Sequence, residues 1–326
     1  MRRPLSALSL LSVLAGCPEV IVAGPKETGY GEAPAAAEPD ASEPDVIEPE
    51  PDAAIEVVDA SEPPPASEVE DAGNAMPTDA GTPRTPATSL ALATTTEPHL
   101  TDEPAFNLRR PTEMAKLEGP RPVIVWANEG CQRNDDAART LFERWAAGGF
   151  VVLSLAAPTG GGLLDLLASL QTTTQADHAA LVDWVVAQNE RGPYAGQLDV
   201  GRIMVAGDAC GGRTALQVAA SDDRVAGAFV SGSLGSVGAG VLRELAVPVA
   251  VADRAAYTAL PGPALLVQRR QGNDEAEEAE LALTWMELVL YGTPQAFEAL
   301  SSERVCERCT PGAWTLESKG LETLRK

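Results

Sequence analysis

Residues 202–218 carry the spacing with the clearest chemical meaning. Ile203 to Ala206 form a short apolar run, and Gly207, Asp208, Ala209, Cys210, Gly211 and Gly212 follow as a glycine-rich bend. Thr214, Ala215, Leu216 and Val218 then open a helical pattern. A buried strand that turns sharply into a helix is the layout of a nucleophile elbow, Gly-x-Ser-x-Gly. The two glycines there make room for a serine in a strained backbone conformation, and its hydroxyl attacks an acyl carbon. Gly207 and Gly211 hold the glycine places, but the central place is Ala209, whose methyl group cannot attack anything. The expectation is an acyl-transfer scaffold without its nucleophile.

The other groups such chemistry needs are scarce. A serine hydroxyl needs an imidazole to remove its proton, and the chain has two histidines. His99 falls in a proline-rich acidic stretch and His178 at the start of a helix well before the bend, so both read as solvated. Cys210 is next to the central place, but a Gly-x-Cys-x-Gly elbow needs glycine at 208, where Asp208 stands. A thiol without a base also keeps a pKa of about 8.5. Cys306 and Cys309 have C-x-x-C spacing. Zinc would need a second ligand pair, which nothing nearby supplies, and redox chemistry would need a helix start, so a structural disulfide is the reading. Gly160 to Gly162 and Gly232 to Gly240 match no phosphate-binding motif in full and read as surface loops. Asp274, Glu275, Glu277 and Glu278 suit the positive end of a helix dipole. No cofactor and no metal is expected.

The elements that must position the bend alternate between strand and helix. Pro122 to Ala127 and Phe150 to Ala156 are continuous apolar runs, suited to strands buried on both faces. Helices are expected over Asp135–Ala147, with Gly148 and Gly149 as the stop, over Thr174–Glu190, and over Glu275–Leu290. Further strands are expected at Val225–Val230, Val247–Ala252 and Ala264–Gln268. Repeated strand-helix alternation implies an α/β domain, residues 106–326, with a mostly parallel sheet covered by helices on both faces.

Residues 18–105 differ in kind. Proline, alanine, serine, threonine and acidic residues dominate, with 20 acids and two bases, so most of the net charge of −23 falls here. Such a segment cannot offset its ordering entropy by apolar burial and is expected to be a disordered, extended linker. The acidic balance argues against nucleic-acid binding. Ahead of it, Arg2 and Arg3 precede an apolar run from Leu5 to Ala15 that ends at Gly16 and Cys17. This is too short to span a bilayer and has the layout of an export signal, residues 1–17. The ending is similar to a bacterial lipobox, which implies lipidation of Cys17 and a membrane partner through that anchor, at the outer membrane or cell surface.

From about Arg121 to Gly320 the chain resembles the α/β-hydrolase fold, and within it the exported cutinase-like and polyester-hydrolase branch, related to the dienelactone hydrolases. The resemblance is carried by residues 122–126, 148–152, 191–199 with Gly201 and Arg202, 207–212, and Cys306 through Cys309 to Trp314. It implies a catalytic serine, acid and histidine in that chain order. The serine's place is Ala209, and Asp253 is the candidate acid. The histidine's loop, Arg269 to Asp274, holds no histidine. The resemblance further implies a disulfide between Cys306 and Cys309. It also places Cys210, after the nucleophile position, and Cys131, in the loop after the first central strand, at the two halves of the oxyanion hole. In an exported protein that proximity implies a Cys131–Cys210 disulfide, with two separate buried thiols as the alternative.

Two functional classes follow. One is an inactive hydrolase-like domain on a lipid anchor, binding an unknown ligand or envelope protein or serving structurally. The other is an ester or polyester hydrolase that uses Cys210.

Overall fold

The computed structural model describes residues 87–157, 162–270, 274–301 and 312–326. The expected leader, Cys17, most of the acidic linker, Gly160, Gly161, Cys306 and Cys309 lie outside the described residues. In chain order the strands and α-helices are β1 (Thr94–His99), β2 (Phe106–Pro111), β3 (Arg121–Ala127), α1 (Arg139–Ala147), β4 (Val151–Leu155), α2 (Leu163–Ser169), α3 (Gln175–Arg191), β5 (Leu198–Asp208) and α4 (Ala209–Ser221). They continue with β6 (Val225–Ser231), α5 (Ala239–Glu244), β7 (Val249–Val251), α6 (Arg254–Ala259), β8 (Ala264–Arg269), α7 (Glu275–Tyr291), α8 (Pro294–Ser301) and β9 (Trp314–Lys319).

Among the described residues the strands form one nine-stranded sheet in the order β1-β2-β4-β3-β5-β6-β7-β8-β9. The run from β4 to β8 is parallel throughout, while β1, β2 and β9 join antiparallel at the margins. This is the expected α/β architecture, with a mostly parallel central sheet. The alternation of side chains along the strands sends one set to each face. Val123, Val125, Ile203 and Val205 pack with α3, α4, α5 and α6 on one side. Ile124, Trp126, Met204 and Phe229 pack with α1, α7 and α8 on the other. Both faces are therefore covered, as two-sided apolar strands require.

Helix boundaries follow their capping chemistry. Thr174 and Asp177 form a reciprocal capping box at the start of α3, and Gly292 ends α7 with φ 64°. The carboxylate of Asp274 accepts from the N–H groups of Ala276 and Glu277. α7 is buried along most of its length, and its inward carboxylates each hold a distant segment. Glu280 pairs with Arg144, Glu277 accepts from Trp314 Nε1 at 3.1 Å, and Glu287 accepts from the Ala87 N–H at 2.8 Å. Among the described residues no helix is long and apolar enough to cross a membrane.

One boundary needs correction. The sequence places residues up to 105 in the linker, yet the fold includes Ala87, which is fully buried, and β1, which pairs with β2 from Thr94 opposite Pro111 to His99 opposite Phe106. β1 lacks an apolar pattern because it lies at the sheet edge, where backbone pairing holds it and Pro98 is tolerated. His99 is correspondingly no solvated linker residue. Its ring stacks on Phe106 with centroids 4.7 Å apart, lies edge-on to Trp184, and has Nδ1 3.2 Å from the Asp102 carboxylate.

Candidate functional site

The strand-to-helix bend has the backbone of a nucleophile elbow. β5 ends at Asp208, α4 begins at Ala209, and Ala209 has φ 47°. A side chain in this left-handed region crowds the following carbonyl, which costs about 1 kcal/mol or more. The glycines are there for close approach. A Cβ on Gly211 would lie 2.1 Å from the Ala127 oxygen, and one on Gly207 would lie 2.7 Å from the Gly211 carbonyl carbon. α4 thus rests directly on the backbone at the end of β3, and only hydrogen atoms fit between them.

Cys210, the first residue after the bend, is bonded to Cys131, with Cα atoms 5.4 Å apart. That separation is ordinary for a disulfide. The expected Cys131–Cys210 bond is present, and the alternative of two separate thiols is not. Cys131 has φ 55° and follows Gly130 at φ 70°, so the loop after β3 is itself held in left-handed conformations. Thr214 Oγ1 lies 3.7 Å from the Cys131 sulfur. With its sulfur in this bond, Cys210 has no thiolate with which to attack.

The remaining triad candidates serve the fold. Asp253 caps α6, accepting from the N–H groups of Ala255 and Ala256 at 2.9 and 3.0 Å. The structure thus places the candidate acid at a helix cap. His178 is 1 % exposed, not solvated, because the inward face of α3 carries it against the sheet. Its Nδ1 is 2.8 Å from the Thr174 carbonyl, and burial pushes its pKa down.

A cavity of about 600 Å³ opens at the carboxyl ends of β3, β5, β6 and β8, where open α/β sheets hold ligands. Asp208 and Ser231 are register neighbours on β5 and β6, both in its wall. The Ser231 hydroxyl hydrogen-bonds to the Asp208 carboxyl and to that of Glu278, which α7 brings in from the other side. Gly232, at φ 69°, allows this arrangement, since a Cβ there would sit 2.1 Å from Asp208 Oδ1. Arg269 stacks on Trp314 and approaches Glu278 at 3.9 Å. Asp135, also in the wall, is anchored by Arg109 at 2.7 Å, by Asn107 at 3.0 Å and by Ser154 at 2.5 Å. Ala209 does not line the cavity.

Burial pushes the carboxyls of Asp208 and Glu278 above their ordinary values. Burial works the same way on Asp135, but hydrogen bonds and charge from Arg109 hold it below. The two groups with raised values bind protons more tightly folded than unfolded. Their contribution to stability is complete below the ordinary carboxylate pKa of about 4 and is lost as pH rises through the raised folded values. Asp208→Asn is therefore expected to unfold at higher urea concentration than the parent at neutral pH, with the difference closing under acid conditions. A midpoint lower than the parent's at neutral pH would contradict this.

These cavity residues were not identifiable as a set from the sequence. In the sequence Asp208 stands out only as a mismatch to glycine, Arg269 only as the start of the loop expected to hold a histidine, Glu278 only as a helix-dipole carboxylate, and Ser231 not at all. The available signal was that all but Glu278 end strands of a parallel sheet at its carboxyl side. Among the described residues no three acidic, histidine or cysteine groups could converge on a metal ion. Compared with known proteins, the chain matches no family model and no curated protein.

Proposed function

We propose that the folded domain is a catalytically inactive relative of the cutinase-like hydrolases. In this reading it is held at the cell envelope by a lipid on Cys17 and acts by binding a ligand in the cavity at the carboxyl ends of the strands. The observation that carries the reading is the elbow itself: Ala209 takes the strained nucleophile conformation with no group to use it, and the next residue is disulfide-bonded to Cys131. Both histidines are committed elsewhere, His178 within α3 and His99 on Phe106. Losing one triad member already removes most of the rate, and the residue of catalysis then rests on the oxyanion hole, which here is tied by sulfur. Structural disulfides belong to oxidising compartments, which agrees with the export leader expected from residues 1–17. The cavity persists beside the inert elbow, and its volume is in the range of small-molecule sites.

The competing reading is an ester hydrolase that uses Cys210, and the disulfide opposes it. The test is turnover of short-chain nitrophenyl esters by the full chain, with and without reductant, and by Ala209→Ser. No rate above background is expected in any of these, because the serine variant restores a hydroxyl but no base. Turnover that disappears in Cys210→Ala would overturn the inactive reading. Truncation at residue 105 is unsuitable for the assay because it removes β1.

A further inference from the structure

Resting on the lipid-anchored reading above, we infer that the outward face of α2 is a membrane-docking surface, whose leucines enter the interfacial layer of a lipid bilayer and set the orientation of the tethered domain. Among the described residues four large hydrophobic side chains are exposed, and three of them are Leu163, Leu167 and Leu170, at 72, 53 and 52 % exposure. Single exposed leucines are ordinary on a protein surface, whereas a contiguous group marks a contact. The spacing i, i+4, i+7 puts the three on one side of a helix, along α2 and the residue that follows it.

The composition around the stripe indicates what covers it. Residues 157–176 include one charged residue, Asp165, and no lysine or arginine. A face without cations gains nothing from anionic headgroups or from nucleic acid, so a zwitterionic lipid surface is the fitting partner. A protein fits less well. α2 is seven residues long, about 10 Å of helix, whereas a stable protein interface takes roughly 20–30 residues from each side. A bilayer does not need that area, because the chain ahead of the fold supplies proximity. Residues 18–86 join the anchor at Cys17 to the first described residue, Ala87, and even fully extended they reach only on the order of 200 Å. Confined in this way, the domain meets the bilayer at high effective concentration, and a contact too weak to hold a free protein suffices. Helices with leucine on one face lie in the membrane plane with that face about 5–10 Å into the headgroup boundary.

The attachment of α2 determines which part of the domain is brought down. The Thr173 N–H donates to the Cys131 carbonyl at 2.7 Å, the Arg133 N–H donates to the Ser169 carbonyl at 3.1 Å, and Gln132 pairs with Thr172. α2 is thereby fastened to the loop after β3, which carries the disulfide and, through Gly130 and Gln132, part of the cavity wall. Docking on α2 turns the carboxyl edge of the sheet toward the bilayer. Val200, the fourth exposed hydrophobic side chain, lies near the start of β5, at the opposite edge.

The probe is a phosphatidylcholine vesicle with brominated acyl chains, which quench tryptophan only within the bilayer. The full chain carries Leu167→Trp or, as the control, Val200→Trp, and the emission of each added ring is read as the difference from the parent chain at lipid excess. The ring at 167 is expected to lose at least half of its emission and the ring at 200 less than a tenth, with no change in molar salt. Adding Leu163→Ser and Leu170→Ser should cut the quenching at 167 at least threefold, and circular dichroism checks that these surface variants stay folded. Equal quenching at 167 and 200, or none at 167, would overturn the docking face. Dimerisation of the parent without lipid, lost in the chain with Leu163→Ser and Leu170→Ser, would overturn it as well by assigning the stripe to a second copy. The mass of the Cys17 peptide reads the anchor separately. A free thiol there with quenching at 167 intact removes the anchor reading and leaves the docking face standing, whereas a lipidated Cys17 without quenching at 167 overturns the docking alone.

Discussion

Replacing both Cys131 and Cys210 with alanine is expected to lower the unfolding free energy by about 4 kcal/mol at 25 °C, from the loop entropy released to the unfolded chain. The bond closes a loop across a sequence separation of 79 residues, from the end of β3 to the start of α4. It also joins two segments held in left-handed conformations, at Cys131 and at Ala209 beside Cys210, so both lose support together. Urea denaturation of the double variant against the oxidised parent measures the effect, and the parent unfolded in reductant should lose a similar amount. A loss below about 1 kcal/mol would mean that the two segments are held by packing alone. The same variant bears on function. If the disulfide merely masked a working thiol, the single Cys131→Ala change would expose Cys210 and produce ester turnover. The inactive reading expects none.

Gly211→Ala should cost about 3 kcal/mol or more, since overpacking costs reach that size when neither side can yield. The added methyl would meet the Ala127 oxygen at 2.1 Å and the Asn128 oxygen at 2.5 Å. These are backbone atoms at the carboxyl end of β3, so relief requires α4 to lift away from β3, which would strain the disulfide as well. Gly240→Ala is the matched control. It lies in the first turns of α5, with nothing within 4 Å of the added carbon, and helix propensity alone would make it neutral or stabilising by up to about 1 kcal/mol. Comparable midpoints for the two variants in thermal or urea unfolding would refute the close-approach account of the elbow.

The α/β layering was legible because parallel strands buried on both faces must be apolar throughout, as Val123 to Ala127 and Ile203 to Ala206 are. The elbow was legible because its glycines are demanded by backbone contact, which Gly211 reports without reference to any partner's identity. The missing hydroxyl at the bend could be read directly, since no fold can supply Ala209 with one. β1 was not legible. Its residues, Thr94 to His99, are alternately half-buried and exposed, and edge pairing leaves little pattern in side chains. The roles of the histidines were misread for a related reason, because burial of His178 and stacking of His99 depend on which helix and strand each meets.

The sequence by itself determined that the residue at the bend, Ala209, carries no hydroxyl, together with the order of strands and helices and the bend they share. Absence of a reactive group and periodic burial are local properties, written residue by residue. Only the tertiary structure decided that Cys131 meets Cys210 and that Asp208, Ser231 and Glu278 share one hydroxyl. Those residues come from two strands, two helices and the loop after β3, and the parallel sheet brings the carboxyl ends of its strands to one edge whatever their distance along the chain.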